Sequence, residues 1–312
     1  MKRIAVLIPC YNEELTVAGV VADFRAALPE AEILVFDNNS QDRTAALATA
    51  AGARVIASPR QGKGHVVRHM FASVDADFYL MVDGDATYPA AAARRLLELV
   101  ASGKADMAVG RRLTSHAAGA FRQFHTFGNH LVARLISALF GVQVTDVLSG
   151  YRAFSRDFVK SIPLLSAGFE IETEMTLQAI SKNFTIVEAD IDYGTRPAGS
   201  FSKLNTFSDG FRVLRSMFLI FKDYKPLVFF AVVAALFAVF SLLAGTPPIL
   251  DYVRNDDHFV EHVPLAVLAA ALGILGCLSL SIGLLLDTLS KYHKENFALH
   301  RRLIQERSAP RE

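Results

Sequence analysis

The chain has 312 residues, enough for one large domain with additions, and its formal net charge is +1. This balanced charge gives no indication of a nucleic-acid partner, and its two cysteines, Cys10 and Cys277, support neither a disulfide nor a metal site. The mean hydropathy of +0.31 is high for a soluble protein, and the apolar excess lies in two stretches near the C-terminus.

Short apolar strands alternate with helices from the N-terminus onward. The predicted strands cover residues 4–8, 32–36, 55–56, 78–82 and 107–109, and the predicted helices cover residues 14–27, 42–51, 65–74 and 90–102. Continuous apolar strands separated by helices are typical of an α/β fold with a mostly parallel sheet and helices on both faces. Ligands of such sheets bind beyond the carboxyl ends of the strands.

Polar residues follow four consecutive predicted strands. The clusters are Tyr11-Asn12-Glu13, Asp37 to Ser40, Arg60 to Gly64, and Asp83-Gly84-Asp85. Their convergence predicts one binding crevice. Two carboxylates one residue apart, directly after a buried strand, suit Mg²⁺ or Mn²⁺ held against substrate phosphates. The same spacing at residues 75–77 and 190–192 lacks this context, and we predict neither as a metal site.

The first two clusters offer groups for a nucleoside. Pro9 is expected to end the first strand, Tyr11 to face a base, and Glu13 to accept a hydrogen bond from base or ribose. Asn12 is either a helix cap or a ligand-facing residue. Asp37 can accept from the N–H edge of a nucleobase, with a purely structural turn as the alternative.

The third and fourth clusters offer groups for a diphosphate. Residues 60–65 are glycine-rich and basic, with Lys63 among them, as a diphosphate-facing loop needs to be. The loop lacks P-loop spacing, and no G-x-G-x-x-G follows the first strand, which counts against kinases, ATPases and nicotinamide enzymes. Asp83 is expected to hold ribose or a metal-bound water, and Asp85 to ligate the cation that bridges the diphosphate.

The two apolar stretches, residues 227–245 and 263–286, carry no charge. Each can cross a hydrocarbon core of roughly 30 Å as a helix, with buried core helices as the alternative. Basic residues lie outside the pair, namely Lys222, Lys225, Lys291, Lys294, Arg301 and Arg302, whereas the connecting loop is mainly acidic. The positive-inside rule therefore places both ends of the chain in the cytoplasm. Because Met1-Lys2-Arg3 leads straight into the first predicted strand, we expect no cleavable signal peptide.

Two further segments, residues 121–139 and 207–221, have apolar residues at helical spacing with basic residues between them. They are expected to lie either in the lipid headgroup layer as amphipathic helices or against the core.

The ordered motifs resemble the family 2 glycosyltransferases of GT-A fold, specifically the polyprenyl-phosphate sugar transferases related to dolichol-phosphate mannose synthase. The matching segments are residues 9–14, 36–44, 62–64, 83–85, 110–112 and 146–152, together with Glu174, Arg196 and residues 202–204. The resemblance implies an inverting, metal-dependent transfer of a hexose from a nucleotide sugar to a polyprenyl phosphate such as undecaprenyl phosphate. A UDP-sugar is the favoured donor and GDP-mannose the alternative.

The resemblance also implies roles for individual residues. Asp85, Asp146, Arg152 and Lys203 are the expected catalytic residues, and the acceptor phosphate is expected to meet Arg111, Arg112, Arg122, Ser149 and Lys203. A lipid monophosphate has a second pKa near 6, so it is already an anionic nucleophile and needs cations more than a strong base. Asp146 is therefore expected either to orient these groups or to act as the base. Glu174 matches the family, while Glu170 and Glu172 are interpreted as solvated.

The sequence departs from the family pattern at two places. Asn38 and Asn39 follow Asp37, where the family usually has consecutive aspartates, and Thr87 stands where mannose synthases carry a glutamine. These changes leave open the donor and the third protein ligand of the metal.

The expected organisation is a cytoplasmic GT-A domain over residues 1–205, a juxtamembrane amphipathic helix over 206–225, a transmembrane hairpin over 226–288 and a basic tail over 289–312. We expect a homo-oligomer in a bacterial inner membrane. A processive polysaccharide synthase is disfavoured because the chain has no tryptophan and only two predicted spans. A non-catalytic nucleotide-sugar binding protein is disfavoured because Asp83, Asp85 and Lys203 are all present.

Overall fold

The computed structural model describes residues 2–113, 131–168, 170–194, 218–257 and 259–308. The chain divides into two compact units, Met1–Val213 and Leu214–Glu312. The first unit is an α/β domain, and the second is helical throughout most of its described part.

The described strands of the first unit are β1 (Ile4–Cys10), β2 (Glu32–Asp37), β3 (Arg54–Ala57), β4 (Phe78–Met81), β5 (Met107–Leu113), β6 (Arg152–Ser155) and β7 (Ile186–Asp192). Its helices are α1 (Val17–Ala27), α2 (Thr44–Ala50), α3 (Lys63–Ser73), α4 (Ala93–Ala101), α5 (Leu131–Phe140), α6 (Arg156–Ser161) and α7 (Ile171–Ser181). The first four helices were all predicted, with boundaries that differ by at most three residues.

The seven strands form one sheet in the order β3-β2-β1-β4-β6-β5-β7. Every neighbouring pair is parallel except the two pairs made by β6, which runs antiparallel to both β4 and β5. This mostly parallel α/β sheet confirms the predicted fold class. Strands β6 and β7 were not predicted: β6 has only four residues, and its extended conformation depends on pairing along both of its edges.

The core follows from the sequence patterns that predicted these elements. Val6, Leu7 and Ile8 of β1 are fully buried, as expected for a strand covered on both faces. Helix α1 buries Val17 and Phe24, two turns apart on one face, and each such side chain contributes roughly 1.5–3 kcal/mol by leaving water.

The carboxyl ends of β1, β2 and β3 lie at one edge of the sheet. Cys10 pairs with Asp37, and Asp37 pairs with Ala57, so the loops that follow these strands begin side by side. Strand β4 lies on the other side of β1 and runs parallel to it. Pro9 lies inside β1, which continues to Cys10, so the expectation that Pro9 ends this strand was wrong.

The second unit contains α8 (residues 218–224), α9 (Pro226–Arg254) and α10 (Val263–Ser308). By length and composition, α9 and α10 are each able to cross a membrane. Ser241 donates to the carbonyl oxygen of Ala269, and Ser279 to that of Phe230, so hydroxyl groups connect the two helices, as is common in membrane hairpins.

Helix α10 is longer than predicted. Its 46 residues span about 69 Å, more than twice a hydrocarbon core of roughly 30 Å. Residues 289–308, which were predicted as a separate basic tail, continue this helix.

The two predicted amphipathic segments lie partly outside the described residues, namely at 121–130 and 207–217. The described end of the first segment is α5, in which Val132 and Ile136 are buried.

Candidate active site

The loops after β1 and β2 are joined by a reciprocal pair of hydrogen bonds. The Asn12 N–H donates to Ser40 Oγ at 2.9 Å, and the Gln41 N–H donates to Asn12 Oδ1 at 2.8 Å. Asn12 adopts a left-handed conformation with φ of 53°. Because α1 begins only at Val17, Asn12 does not cap it, and its side chain instead joins two walls of the crevice.

Asn38 joins the loops after β2 and β3. Its side chain is buried and donates from Nδ2 to the carbonyl oxygens of Ser58 and Arg60, both at 2.8 Å, while its Oδ1 accepts from the Gly62 N–H at 2.9 Å. A carboxylate could not make the two donated bonds. This departure from the family pattern therefore has a structural role, which is to hold residues 58–62 in place.

Asp37 ends β2 with its two oxygens in different environments. Oδ2 accepts from the Ser40 N–H at 3.3 Å. Oδ1 is buried, and no described residue donates a hydrogen bond to it. Buried polar atoms are nearly always hydrogen-bonded, so an unsatisfied carboxylate oxygen at the sheet edge indicates a site for an N–H or O–H group of a ligand.

Lys63, the first residue of α3, lies between two carboxylates. Its Nζ is 2.6 Å from Asp83 Oδ1 and 2.6 Å from Glu172 Oε1. Burial alone would lower the pKa of Lys63, but the charges of Asp83 and Glu172 outweigh it and raise this pKa above its usual value. The Lys63 side chain is only 12% exposed, so its ammonium is committed to these carboxylates and not directed freely into the crevice.

Glu172 was interpreted as solvated from the sequence, and this was wrong. Its side chain is 4% exposed and paired with Lys63. The sequence of α7 mixes apolar and polar residues and gave no signal of this burial. The helix buries Ile171, Met175 and Leu177 together with Glu172, so the burial follows from its packing inside the domain.

The glycines on either side of Lys63 allow a close approach of two loops. A Cβ on Gly62 would lie 2.4 Å from the Ala167 carbonyl oxygen, and one on Gly64 would lie 2.2 Å from that of Ser166. Gly62 also has φ of +124°, which L side chains rarely adopt. Glu174 fixes the opposing loop by accepting from the N–H groups of Leu165 and Ser166, both at 2.8 Å.

Asp83 and Asp85 flank the turn that follows β4. Asp85 is 5% exposed, and its Oδ1 accepts from the N–H and hydroxyl of Thr87 at 3.2 and 2.6 Å. Asp83 is more open, with its side chain 24% exposed. A Cβ on Gly150 would come within 2.4 Å of Asp83 Oδ2, so the absence of a side chain there makes room for this carboxylate.

These two carboxylates fit a hard divalent cation. Within the described residues, no group of three or more His, Cys, Asp or Glu side chains is arranged to hold a metal ion. Mg²⁺ and similar ions are commonly held by one or two carboxylates together with substrate phosphates and water, and the pair at Asp83 and Asp85 matches that requirement.

Arg112 and Asp146 form a bidentate ion pair beside this turn. Arg112 Nε is 2.8 Å from Asp146 Oδ2, and an Nη nitrogen is 2.7 Å from Oδ1. Burial would raise the pKa of Asp146, but the hydrogen bonds and charge of Arg112 hold it below its ordinary value. Arg112 also lies over the ring of Tyr193, 5.3 Å from its centroid, and keeps a quarter of its side chain exposed.

Arg111 is not grouped with Arg112. Successive side chains of a strand point to opposite faces, and Arg111 forms an ion pair with Asp190 on the adjacent strand β7. Asp75, in the other acidic pair that we did not predict as a metal site, likewise forms ion pairs with Arg3 and Arg156.

Ser149 and Arg152 were expected to meet the acceptor or take part in catalysis, and their positions contradict a direct contact with ligand. Both are completely buried. Arg152 donates to the carbonyl oxygens of Ser149 and Val147 and to Thr176 Oγ1, and Ser149 Oγ donates to the Gly110 carbonyl oxygen at 2.7 Å. Both side chains hold the loop that carries Asp146.

The remaining predicted residues divide into two groups. Tyr11 and Glu13 are partly exposed in the loop after β1, where the Glu13 N–H donates to Thr44 Oγ1 at 2.8 Å. Arg122 and Lys203, both predicted to bind the acceptor phosphate, lie outside the described residues.

Residues 5–162 match the model of the family "Glycosyl transferase family 2". The chain belongs to this family. It is a glycosyltransferase, and its α/β domain has the GT-A fold. One relative of this glycosyltransferase, glycosyltransferase AglJ of Haloferax volcanii, is 32% identical over 293 residues, which cover 94% of the chain and 95% of the relative.

Two other relatives have more specific names. Dolichyl-phosphate hexose transferase of Haloferax volcanii is 32% identical over 69% of this chain and 92% of its own length. Polyprenol monophosphomannose synthase of Mycolicibacterium smegmatis is 30% identical over 64% of this chain and 80% of its own length.

Among solved structures, glucosyl-3-phosphoglycerate synthase from Mycobacterium tuberculosis shares the fold. The crystal structure of its complex with Mn²⁺, UDP-glucose and phosphoglyceric acid superimposes with a TM-score of 0.58 and 21% identity, covering 71% of this chain and 79% of that protein.

Proposed function

We propose that this glycosyltransferase moves a hexose from a nucleotide sugar to a polyprenyl phosphate, with inversion at the sugar, at the cytoplasmic face of a bacterial inner membrane. The observation that carries the proposal is the position of Asp83 and Asp85, two carboxylates suited to a divalent cation, at the sheet edge that also carries the unsatisfied oxygen of Asp37. The apolar helices α9 and α10 support a lipid acceptor.

The donor would lie across the loops after β1, β2 and β4. The buried Oδ1 of Asp37 is placed to accept a ring N–H of uracil or guanine, and Tyr11 and Glu13 border the same loops. A UDP-sugar is the favoured donor, since a fold relative was crystallised with UDP-glucose. GDP-mannose is the alternative.

Asp83 and Asp85 would hold Mg²⁺ or Mn²⁺ together with the diphosphate. The cation would supply charge neutralisation to the leaving nucleotide. Thr87 orients Asp85, and Gly150 leaves space around Asp83.

The acceptor phosphate would bind Arg112. We propose that Arg122 and Lys203 bind the same phosphate, as predicted from the sequence. Arg112 keeps a quarter of its side chain exposed, and a guanidinium pairs well with phosphate oxygens. Asp146 orients Arg112 through both carboxylate oxygens. Because the lipid phosphate is largely ionised at neutral pH, the reaction does not require Asp146 as a base.

The test is to incubate membranes containing the protein with undecaprenyl phosphate and labelled UDP-sugars or GDP-mannose, and to identify the glycolipid. We expect one donor to give a lipid-linked hexose, and Asp85→Ala to lower its rate of formation by more than about a hundredfold, because the cation is lost. Asp75→Ala, the same change in a surface ion pair, should retain the wild-type rate. Equal rates for wild type and Asp85→Ala, both above the rate in membranes that lack the protein, would show that transfer does not need the proposed cation site. Rates no higher than in membranes that lack the protein would contradict the proposed transfer to this lipid.

A further inference from the structure

The ammonium of Lys63 is shared between a carboxylate at the metal site and a carboxylate in the interior. Asp83 is the more open of the two, at 24% side-chain exposure, and Glu172 is the more enclosed, at 4%. Lys63 is thus bound on one side to a proposed metal ligand and on the other to a residue that cannot itself reach solvent.

A cation that approaches Asp83 meets a carboxylate already engaged with an ammonium. The two positive charges repel each other, and an ammonium left buried without an anionic partner would be strongly unfavourable. Glu172 removes this conflict, since it keeps an anionic partner for Lys63 when Asp83 turns to a metal ion.

We propose that Glu172 is a positioning residue of the metal site, which acts by holding the Lys63 ammonium and so limits its competition with the divalent cation for Asp83. The inference rests on the proposed function, in which Asp83 and Asp85 bind that cation.

One backbone hydrogen bond and the burial of the first turn of α7 keep Glu172 next to Lys63. The Gly64 N–H donates to the Ala167 carbonyl oxygen at 3.1 Å, which ties the start of α3 to the loop before α7. Glu172 lies in the first turn of α7 between Ile171 and Thr173, both buried, so its backbone is fixed by the core. Lys63 therefore meets Glu172 because two packed elements bring them together.

The test uses the full-length protein in detergent and measures binding of Mn²⁺ alone by electron paramagnetic resonance of the free ion. We expect Glu172→Gln to weaken Mn²⁺ binding about tenfold, in the range of changes to residues that support metal ligands. Glu172→Asp, which keeps the anion, should recover most of the lost affinity. Glu170→Gln, the same change at an exposed position one residue before α7, should bind Mn²⁺ as the wild type does.

A second pair of variants tests whether Glu172 acts through the lysine. Lys63→Met removes the competing ammonium and should strengthen binding of Mn²⁺ alone. In the Lys63→Met background, the loss of Mn²⁺ binding free energy caused by Glu172→Gln should be at most about a third of the loss in the wild-type background. The effects of substitutions at positions that share a partner are not additive. The double variant leaves neither an ammonium nor a second carboxylate unpaired, and we expect it to bind Mn²⁺ at least as tightly as the wild type. This second comparison does not need the Glu172→Gln single variant, so it remains available even if that variant fails to fold.

The inference is overturned if Glu172→Gln binds Mn²⁺ like the wild type, or if Glu170→Gln weakens binding equally. It is also overturned if Glu172→Gln lowers the Mn²⁺ affinity by the same factor in the wild-type and Lys63→Met backgrounds. It is also overturned if the wild-type protein binds no Mn²⁺ or if the double variant binds Mn²⁺ more weakly than the wild type. These measurements use neither donor nor lipid. Failure to form a glycolipid would therefore count against the proposed transfer reaction and leave the Mn²⁺ result standing.

Discussion

At residue 38, an amide replaces the carboxylate that the family pattern usually carries, and the structure explains why the amide is needed here. Asn38 donates two hydrogen bonds to carbonyl oxygens and accepts one from Gly62, all from a buried position. The neighbouring Asn39 is exposed, although it too donates to the carbonyl oxygen of Pro59. The two adjacent asparagines are therefore expected to contribute differently to the stability of the fold.

Asn38→Asp is therefore expected to be strongly destabilising. The change removes both donated bonds and buries a charge against two carbonyl oxygens, at a cost of about 2–4 kcal/mol. Asn39→Asp, the control, should cost less than about 1 kcal/mol because the side chain remains hydrated. Urea unfolding of the two variants would measure the difference, and equal losses would show that the buried bonds of Asn38 contribute little.

Arg112 sets the ionisation state of Asp146. Burial opposes ionisation of Asp146, but Arg112 more than compensates and keeps the pKa of the carboxyl low. The stability contributed by this pair is therefore fully present above the unfolded pKa of about 3.9 and is lost as pH falls through the lower folded value. Asp146 stays ionised throughout the neutral range.

The pH dependence of transfer should consequently come from the lipid phosphate and not from Asp146. We expect the rate to fall below about pH 6, where the acceptor gains a proton, in both the wild type and Asp146→Asn. The variant should have a lower rate at every pH because Arg112 loses its bidentate partner. A pH profile that becomes flat between pH 5 and 8 in Asp146→Asn would identify Asp146 as the titrating base.

At the scale of elements, α3 and α7 are joined through the glycine-rich loop. The loop was predicted as a diphosphate cradle, but Gly62 and Gly64 also lie against the carbonyl groups of Ala167 and Ser166. Glycine is required at both positions because any Cβ would overlap these oxygen atoms. The position of Lys63 therefore depends on the position of the loop that precedes α7.

Gly64→Ala should push the start of α3 away from the loop before α7. A Cβ 2.2 Å from the Ser166 oxygen cannot be accommodated without backbone movement, so we expect a loss of about 2–4 kcal/mol in stability and a weaker donor complex. Gly19→Ala is the control: no atom lies within 4 Å of the place that its methyl group would take in α1, and alanine should stabilise the helix by about 0.5–1 kcal/mol. Thermal unfolding would compare them, and similar midpoints would contradict the close packing.

At the scale of the whole molecule, the chain combines a GT-A domain with two long apolar helices. The acidic residues between α9 and α10 and the basic residues at their outer ends favour one orientation in a membrane. Asp251 shapes the connecting loop by accepting hydrogen bonds from the N–H groups of Glu261 and His262, both at 3.0 Å. The last part of α10 carries many charged residues, and the whole helix is longer than one hydrocarbon core of roughly 30 Å requires.

This orientation can be tested by cysteine labelling in a Cys277→Ser background. A membrane-impermeant maleimide should label Asp256→Cys in intact cells, because the loop is expected to face outward. Glu295→Cys should react only after the membrane is opened. Cys10 is buried and should contribute little background. Labelling of Glu295→Cys in intact cells would indicate the opposite orientation in the membrane.

Local pattern was sufficient for the fold class, for the positions of the first four helices, and for placing Asp37, Asp83 and Asp85 where strands end. These predictions succeeded because apolar strands and their polar ends can be recognised from residues that are adjacent in the sequence. They also succeeded because parallel strands bring their carboxyl ends to one edge of the sheet. The apolar helices were evident for the same reason, since hydrophobicity over some twenty residues is a local property.

The roles of Glu172, Arg152 and Asn38 were decided only by tertiary structure. Glu172 meets Lys63 because packing of α7 brings them together, and Arg152 is buried because β6 inserts between β4 and β5. Residue type indicated that these side chains are charged or polar but not where their partners lie. Lys63 is far from Glu172 along the chain, whereas Ser149 and Val147 are close to Arg152. In both cases the pairing depends on burial, which sets whether a charge faces a ligand or supports a loop.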